Sequence, residues 1–499
     1  AKFKNNAAVL EVRLSITVNA NGLTMTAKAM ASAAFETNRA GFTVLHPIDG
    51  VAGCPVQVHH SDGTNQKAQF PTLIAPWQPF MDITALSHQA GGKLVTCQFR
   101  GDTFEMEDQR QWGDASFKTY NRPLAKPWPY QLTPNAALEQ TVELTWQEAR
   151  QPAPLRRNPR AQDVLFPQMA LVITADDATR LANQPDDIKL VKPQRLLCHL
   201  DATLGATKAQ FQSFATAQKA CPKVLYDLEL ICLCAENPLP ELQALTAQMH
   251  AVGFAPSSVM VCPSVDRQST PPGSAWPPCP PLAQLHAAAA KAFPDMIRGG
   301  GMVSFFPELN RKRPPVEALD FISHGLCPIV HAADDLSVME TLEAVPHITT
   351  SARAIIGKRP YRIGPATIAM RQNPYGQRTL PNPGQTRICM ADDDPRHRAK
   401  FGAAYTIGLA TALAPAAIEV WTPAALYGPR GVISADGSWP LAHVLKHLAR
   451  AAGHAVHSAK IANGLAQLHV GSISLIANLT PDETLKVGPY SWCLRNPRP

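Results

Sequence analysis

The second half of the chain has a rhythm that leaves few folds open. From about residue 165, short apolar runs alternate with stretches of helical periodicity. The runs that read as strands are 169–174, 195–200, 224–233, 258–262, 301–306, 321–330, 361–370 and 418–421. Between them, Pro240-Glu241-Leu242 opens a helix that closes at Gly253, which fits the preference for Pro at a helix start and Gly just past its end. Residues 282–293 are Ala-rich, and 397–413 carries apolar residues around most of the helix. Eight strands separated by helices within about 265 residues match the usual length of a (β/α)8 barrel. A doubly wound sheet is the alternative, but the first strand is not followed by a Gly-rich phosphate fingerprint.

The rest of the chain predicts a different texture. In residues 1–150, Val12, Leu14, Ile16 and Val18 alternate with polar neighbours, and Asn21-Gly22 suits a tight hairpin turn. Further short apolar segments follow between Gly and Pro, and Gln140 to Trp146 alternates again, as expected of a β-sandwich. Residues 151–159, rich in Pro and Arg, read as a linker. Residues 431–499 offer a helix near 441–452 and strands near 468–470 and 473–479, a small β-rich C-terminal domain. The expected architecture is therefore α/β and multi-domain: a β-sandwich at 1–150, a TIM-like barrel at 165–430 and the small domain at 431–499.

Composition narrows the function classes. A formal charge of +7 is thinly spread, with Arg311-Lys312-Arg313 the densest basic cluster. That argues against nucleic acid and suits small anionic ligands equally well. The 11 cysteines are odd in number and scattered through apolar runs, so they read as buried free thiols in a reducing compartment. With no apolar run long enough to span a membrane, a cytoplasmic location is the expectation. The start, Ala1-Lys2-Phe3-Lys4, reads as the inside of a domain, so an upstream segment is expected.

Barrel enzymes place catalytic groups at the C-terminal ends of strands. Period-two alternation puts Asp227 and Glu229 on one side of their strand, where two acids are costly unless paired or solvated. Glu308, with Asn310 and Arg311, follows another apolar strand. His331 and Asp334 follow the sixth run, with His324 within it. Asp334 equally suits a helix N-cap. His199 and Asp201 share a face and, with His331 and Asp334, could hold a divalent metal, although HxH and HExxH spacings are absent. No cofactor is otherwise implied. Tyr361, Arg362, Arg371 and Trp421 complete the strand-end candidates, Trp421 as a sugar-stacking ring or as core. In the first domain Glu107, Asp108, Arg110, Asp114 and Lys118 form a dense charged stretch, either an ion-paired loop or the lining of a carbohydrate cleft.

That stretch resembles a known family. Phe104-Glu105-Met106-Glu107-Asp108-Gln109-Arg110, Trp112 and Asp114-Ala115-Ser116-Phe117-Lys118-Thr119-Tyr120 are similar to the D-apionate lactonase family. Thr37-Asn38-Arg39-Ala40-Gly41-Phe42, Leu45-His46-Pro47, Phe305 to Pro314 and Cys327 to Asp335 extend the resemblance through nearly the whole chain. Gln111 and Gly113 depart from the family's usual residues. The resemblance implies hydrolysis of D-apionolactone to D-apionate in apiose catabolism. Hydrolysis of a lactone needs an activated water and a stabilised oxyanion. Position and chemistry then nominate Glu308 or Glu229 as base and His331 as proton donor. Arg110, Lys118 or Arg311 would face the anion, and Glu107, Asp108, Asp114, Asn310, Asp334 and Trp421 the substrate. The expected partner is a small sugar lactone, with a homo-oligomer open. A barrel glycoside hydrolase using two carboxylates and a non-catalytic sugar-binding protein are the alternatives.

Overall fold

A computed structural model describes residues 1–5, 7–149, 164–270, 274–375, 378–434 and 437–495. The linker expected at 151–159 lies outside these residues. The chain forms two compact units, the first built from the described residues up to 149 and the second from most of the remainder.

In the first unit an antiparallel sheet of eight strands runs in the order Lys2–Asn5, Ala8–Asn19, Gly22–Ala31, Ala137–Glu148, Lys93–Arg100, Ile83–Ala90, Pro55–His60, Asn65–Gln69. A three-stranded sheet of Glu105–Asp108, Ser116–Tyr120 and Thr43–Pro47 shares its core. Val58, Leu86, Phe99 and Val142 from the large sheet pack with Met106 and Phe117 from the small one, as in a sandwich. The first hairpin forms where alternation placed it, but Ala20-Asn21 makes its tip. Asn19 pairs with Gly22, and the Asn19 side chain accepts the Asn21 N–H at 2.9 Å.

The second unit contains a closed barrel of eight parallel strands. They are β1 (Gln168–Ile173), β2 (Arg195–Asp201), β3 (Leu225–Cys232), β4 (Ser258–Pro263), β5 (Ile297–Phe305), β6 (Phe321–Leu326), β7 (Tyr361–Ala366) and β8 (Val420–Ala425). Strand β5 begins four residues earlier than its apolar run because it contains Gly299-Gly300-Gly301. A Cβ on Gly299 would lie 2.1 Å from the Phe321 ring, and one on Gly301 would lie 2.0 Å from the Ser323 carbonyl oxygen. The glycines therefore mark a close approach of β5 to β6 rather than a chain break.

The helices fall near their expected places. Asn237 caps the helix Pro238–Ala251, its side chain accepting the Leu239 N–H at 3.2 Å. The helix Lys400–Leu413 is buried from Phe401 to Leu413, which explains its apolar circumference. It packs on the helices Val345–Ile356 and Pro440–Ala451 and on a four-stranded antiparallel sheet of Val456–Ala462, Leu465–Val470, Ile473–Asn478 and Trp492–Arg495. No described helix is long and apolar enough to cross a membrane.

The barrel holds charge at its N-terminal end. Asp227 accepts from Arg195 at 2.9 and 3.1 Å and from Ser258 at 2.6 Å. Arg362 lies 3.7 Å from Asp227, donates to Ser258 at 2.9 Å, and pairs with Glu419 at 2.7 Å. Tyr361 and Arg362 thus open β7 rather than end it, which removes both from the catalytic candidates.

Three buried histidines should make this unit acid-sensitive. Burial pushes His286, His324 and His397 down to about 4. Their unfolded values are higher, so the unfolded chain binds more protons between about pH 6.5 and pH 4, and stability falls as pH drops through that window. Urea unfolding should show a loss of about 2 kcal/mol per histidine between about pH 7 and pH 5. In His324→Gln that pH dependence should be shallower; an unchanged slope would contradict the assignment.

Candidate active site

The C-terminal half of the barrel carries a second layer of charge, centred on Glu229. Parallel pairing of β2 and β3 sets His199 opposite Glu229. His199 Nδ1 lies 2.7 Å from Glu229 Oε1. From the loop after β7, Arg371 clamps the same carboxylate: Nη1 contacts Oε1, Nη2 reaches Oε2 at 3.1 Å, and Nη2 also donates to the Val303 carbonyl at 2.9 Å. The Glu229 side chain is 2% exposed and that of His199 21%. Burial alone would raise the Glu229 carboxyl. The Arg371 charge and the His199 bond outweigh it and hold the group at about 2.

This geometry assigns roles. Both Glu229 oxygens are taken by donors, Oε1 by His199 and Arg371 and Oε2 by Arg371, which suits the carboxylate to orienting the ring. At 2.7 Å from a carboxylate oxygen, Nδ1 of His199 must carry its proton. Its 3.3 Å approach to Arg371 Nη1 is then proximity, both groups converging on Glu229. The lone pair is left on Nε2, which has no hydrogen bond among the described residues, on a side chain that is 21% exposed. A carboxylate-oriented imidazole at a barrel mouth is a general base in waiting. Arg430 steadies the loop that bears Arg371, donating to the Met370 and Asp392 carbonyls at 3.2 and 3.1 Å.

A second cluster lies beside the first. Glu308, in the first turn of the helix Phe306–Lys312, is 2% exposed. Its Oε1 accepts from Ser269 Oγ, from the Thr270 N–H at 3.1 Å and from Arg311 Nη1 at 3.2 Å. Oε2 is buried without a partner among the described residues. Asp266 pairs with Lys312, and burial raises its carboxyl, with Glu308 adding to the effect against Lys312. Cys262 links the clusters: burial pushes its thiol up, and the charges of Glu229 and Asp266 push further.

The remaining candidates fall elsewhere. His331 is exposed on the rim, its Nε2 3.1 Å from the Tyr375 hydroxyl. Asp334 caps the helix Asp335–Glu340 through the Ser337 N–H at 2.9 Å, so it is a structural group. Asn310 is buried in its helix, and the Arg311 side chain is 2% exposed and also holds the Thr270 carbonyl. Trp421 is 1% exposed near the start of β8, which makes it core rather than a stacking surface.

In the first unit Asp108 and Arg110 are wholly buried and paired at 2.7 Å. Arg110 also donates to the carbonyls of Thr72 at 3.1 Å and Pro71 at 2.9 Å, and Asp108 accepts the Ala75 N–H. Both are consumed in fixing a loop, which removes them from the substrate-binding set. Glu107 and Lys118 pair at 2.9 Å on adjacent strands, and Trp112 donates to Glu107 at 3.2 Å. Asp114 is half-buried just beyond them. Among the described residues no three His, Cys, Asp or Glu side chains converge as a metal site.

Sequence comparison adds a family. Residues 1–149 match the family described as D-apionate lactonase, N-terminal domain, and residues 169–453 match D-apionate lactonase, TIM barrel domain. A D-apionate lactonase of Brucella anthropi is 46% identical over 449 residues, covering 88% of this chain and 73% of that protein. Among solved structures, a GH30 endoxylanase from Clostridium papyrosolvens aligns at 6% identity and a TM-score of 0.39, covering 64% of this chain and 81% of its own. A β-glucuronidase from Ruminococcus gnavus aligns at 8% identity and 0.36, covering 87% and 67%. Those two likenesses are too weak to bear on function.

The Glu229–Arg371 pair should behave as a coupled unit. Arg371→Met leaves a buried carboxylate uncompensated and should lower the unfolding free energy by about 3–5 kcal/mol. The double variant Glu229→Leu/Arg371→Met should lose less than the sum of the singles in urea titrations. Strict additivity would show that the two side chains are not coupled.

Proposed function

The chain belongs to the D-apionate lactonase family, and from its lactone-hydrolase activity we propose that it opens D-apionolactone to D-apionate with His199 as general base. The observation that carries this reading is the Glu229-oriented imidazole at the barrel mouth. In the step we envisage, His199 Nε2 takes a proton from a water as the water oxygen bonds to the lactone carbonyl carbon. The carbonyl π pair moves onto oxygen. When that pair returns, the bond from carbon to the ring oxygen breaks, and the imidazolium delivers its proton to the departing alkoxide. Water adds across one C–O bond, and the product is a hydroxy acid.

Arg371 keeps Glu229 ionised, and Glu229 stabilises the imidazolium formed halfway through. Without that partner the ring would lose both its orientation and the counter-charge for its protonated state. Glu308 is less suited to act as base, because three donors already stabilise the charge on Oε1. The glycoside-hydrolase alternative calls for a carboxyl that is protonated near neutrality to serve as acid. Glu229, clamped by Arg371 and His199, is not placed to be that acid, and the reading would then need it from Glu308, which is paired with Arg311.

A pH-stat assay of the wild-type chain against D-apionolactone, other aldonolactones and aryl glycosides tests the reading. Acid should be released from lactones, fastest from D-apionolactone, and no aglycone from the glycosides. Because the proton passes through His199, activity should survive a chelator. His199→Gln should lower kcat about 10²–10⁴-fold, the range for loss of a general base. Equal rates in wild type and His199→Gln would remove the proposed base, and preferential release of aryl aglycones would overturn the substrate class.

A further inference from the structure

A base is half of what lactone hydrolysis requires; the other half is a donor for the oxyanion. The cations around the barrel mouth differ sharply in what they have left to offer. Arg371 is bound to both oxygens of Glu229 and to the Val303 carbonyl. Arg311 is buried against Glu308 and Thr270. Lys312 is tied to Asp266 and lies 5.0 Å over the Trp276 ring. Arg430 holds two backbone carbonyls.

Arg267 is more exposed than Arg371, Arg311 or Lys312, at 36% against 11%, 2% and 16%. It ends the short helical turn Ser264–Arg267 that follows β4, and its side chain is 36% exposed. Nε donates to the Ser264 carbonyl at 3.1 Å, and Nη1 donates to Asp201 Oδ2 at 2.7 Å. Two of the five N–H groups of a guanidinium are thereby used. Nη2 has no partner among the described residues.

The anchoring points toward the chemistry. Asp201 is the last residue of β2, two beyond His199 and on the same face of the strand. Its other oxygen is fixed by the Thr203 N–H at 3.0 Å and the Thr203 hydroxyl at 2.6 Å. The turn after β4 thus reaches across β3, which bears Glu229, to place a partly solvated guanidinium on the strand that carries the base. A cation with unused, fixed donors beside a general base suits an oxygen that gains charge as the base works.

We infer that Arg267 is the acyl-oxygen subsite: its free N–H groups bind the lactone carbonyl oxygen, the oxyanion of the tetrahedral intermediate, and then the carboxylate of the product. Asp201 is a positioning residue that aims the guanidinium. This inference rests on the lactonase reading.

The test uses the full chain with D-apionolactone as substrate and D-apionate as product inhibitor. Arg267→Ala should lower kcat by about 10²–10³-fold, the loss typical of one oxyanion donor. It should weaken inhibition by D-apionate at least about tenfold, since product binding loses the same charge-assisted bonds. Added guanidinium at millimolar concentration should restore part of the rate in Arg267→Ala and none in wild type. Arg267→Lys, which keeps the charge without the planar fork, should fall between the two and serves if the alanine variant does not fold. Asp201→Asn should lower kcat less than Arg267→Ala, with D-apionate inhibition partly kept. If folded Arg267→Ala, or Arg267→Lys in its place, keeps kcat and product inhibition within twofold of wild type, the inference is wrong. A wild-type chain that fails to hydrolyse any lactone would instead sink the reading on which it rests.

Discussion

A carboxylate sealed inside a parallel barrel can stay ionised only if the fold supplies its counter-charge, and Glu229 is held that way. The requirement reaches across the chain. Strand β2 must bring His199 level with Glu229, and the loop after β7 must return Arg371 to the same point. That loop is in turn fixed by Arg430 from beyond β8. Removing Arg371 leaves a buried charge whose desolvation is not offset. The same arrangement that makes Glu229 tolerable also orients His199, so the contacts that stabilise the buried carboxylate also hold the proposed base.

The barrel separates two kinds of charge by height. At the N-terminal end Asp227 is held by Arg195, Arg362 and Ser258. At the C-terminal end the acids are clamped on one side, while His199 Nε2 and the outer N–H groups of Arg267 keep unused capacity. This division follows the general logic of the fold, in which the N-terminal face serves stability and the C-terminal face serves chemistry. Among the described residues, a cavity of about 30 Å³ lined by Asp227, Glu229, Ser323 and Arg362 lies between the two levels.

Much of the architecture was legible in the sequence, because a barrel strand is a short apolar run and its crossover helix carries its own period. The start of β5 was not: its apolar run begins only at 301, and the glycines before it are explained by their close approach to Phe321 and Ser323. The acids were legible as chemistry-bearing residues, yet their roles were not. Glu229 read as a base because Arg371, its partner, is 142 residues away. His199 read as a metal donor because only the β2–β3 register shows what faces it. In the first unit, Asp108 and Arg110 read equally well as an ion-paired loop or a cleft. Burial and the carbonyls of Pro71 and Thr72 decide for the loop, a fact that composition cannot carry.

If Glu229 orients His199, the ring carries its proton on Nδ1 and its lone pair on Nε2. Long-range ¹H–¹⁵N correlation spectra of the histidine rings near neutral pH read that tautomer directly. The Nδ1–H form is expected for His199 in the wild-type chain and a mixture in Glu229→Gln. An Nε2–H form in the wild type would contradict it, because the ring would then have no lone pair facing the water it is meant to deprotonate.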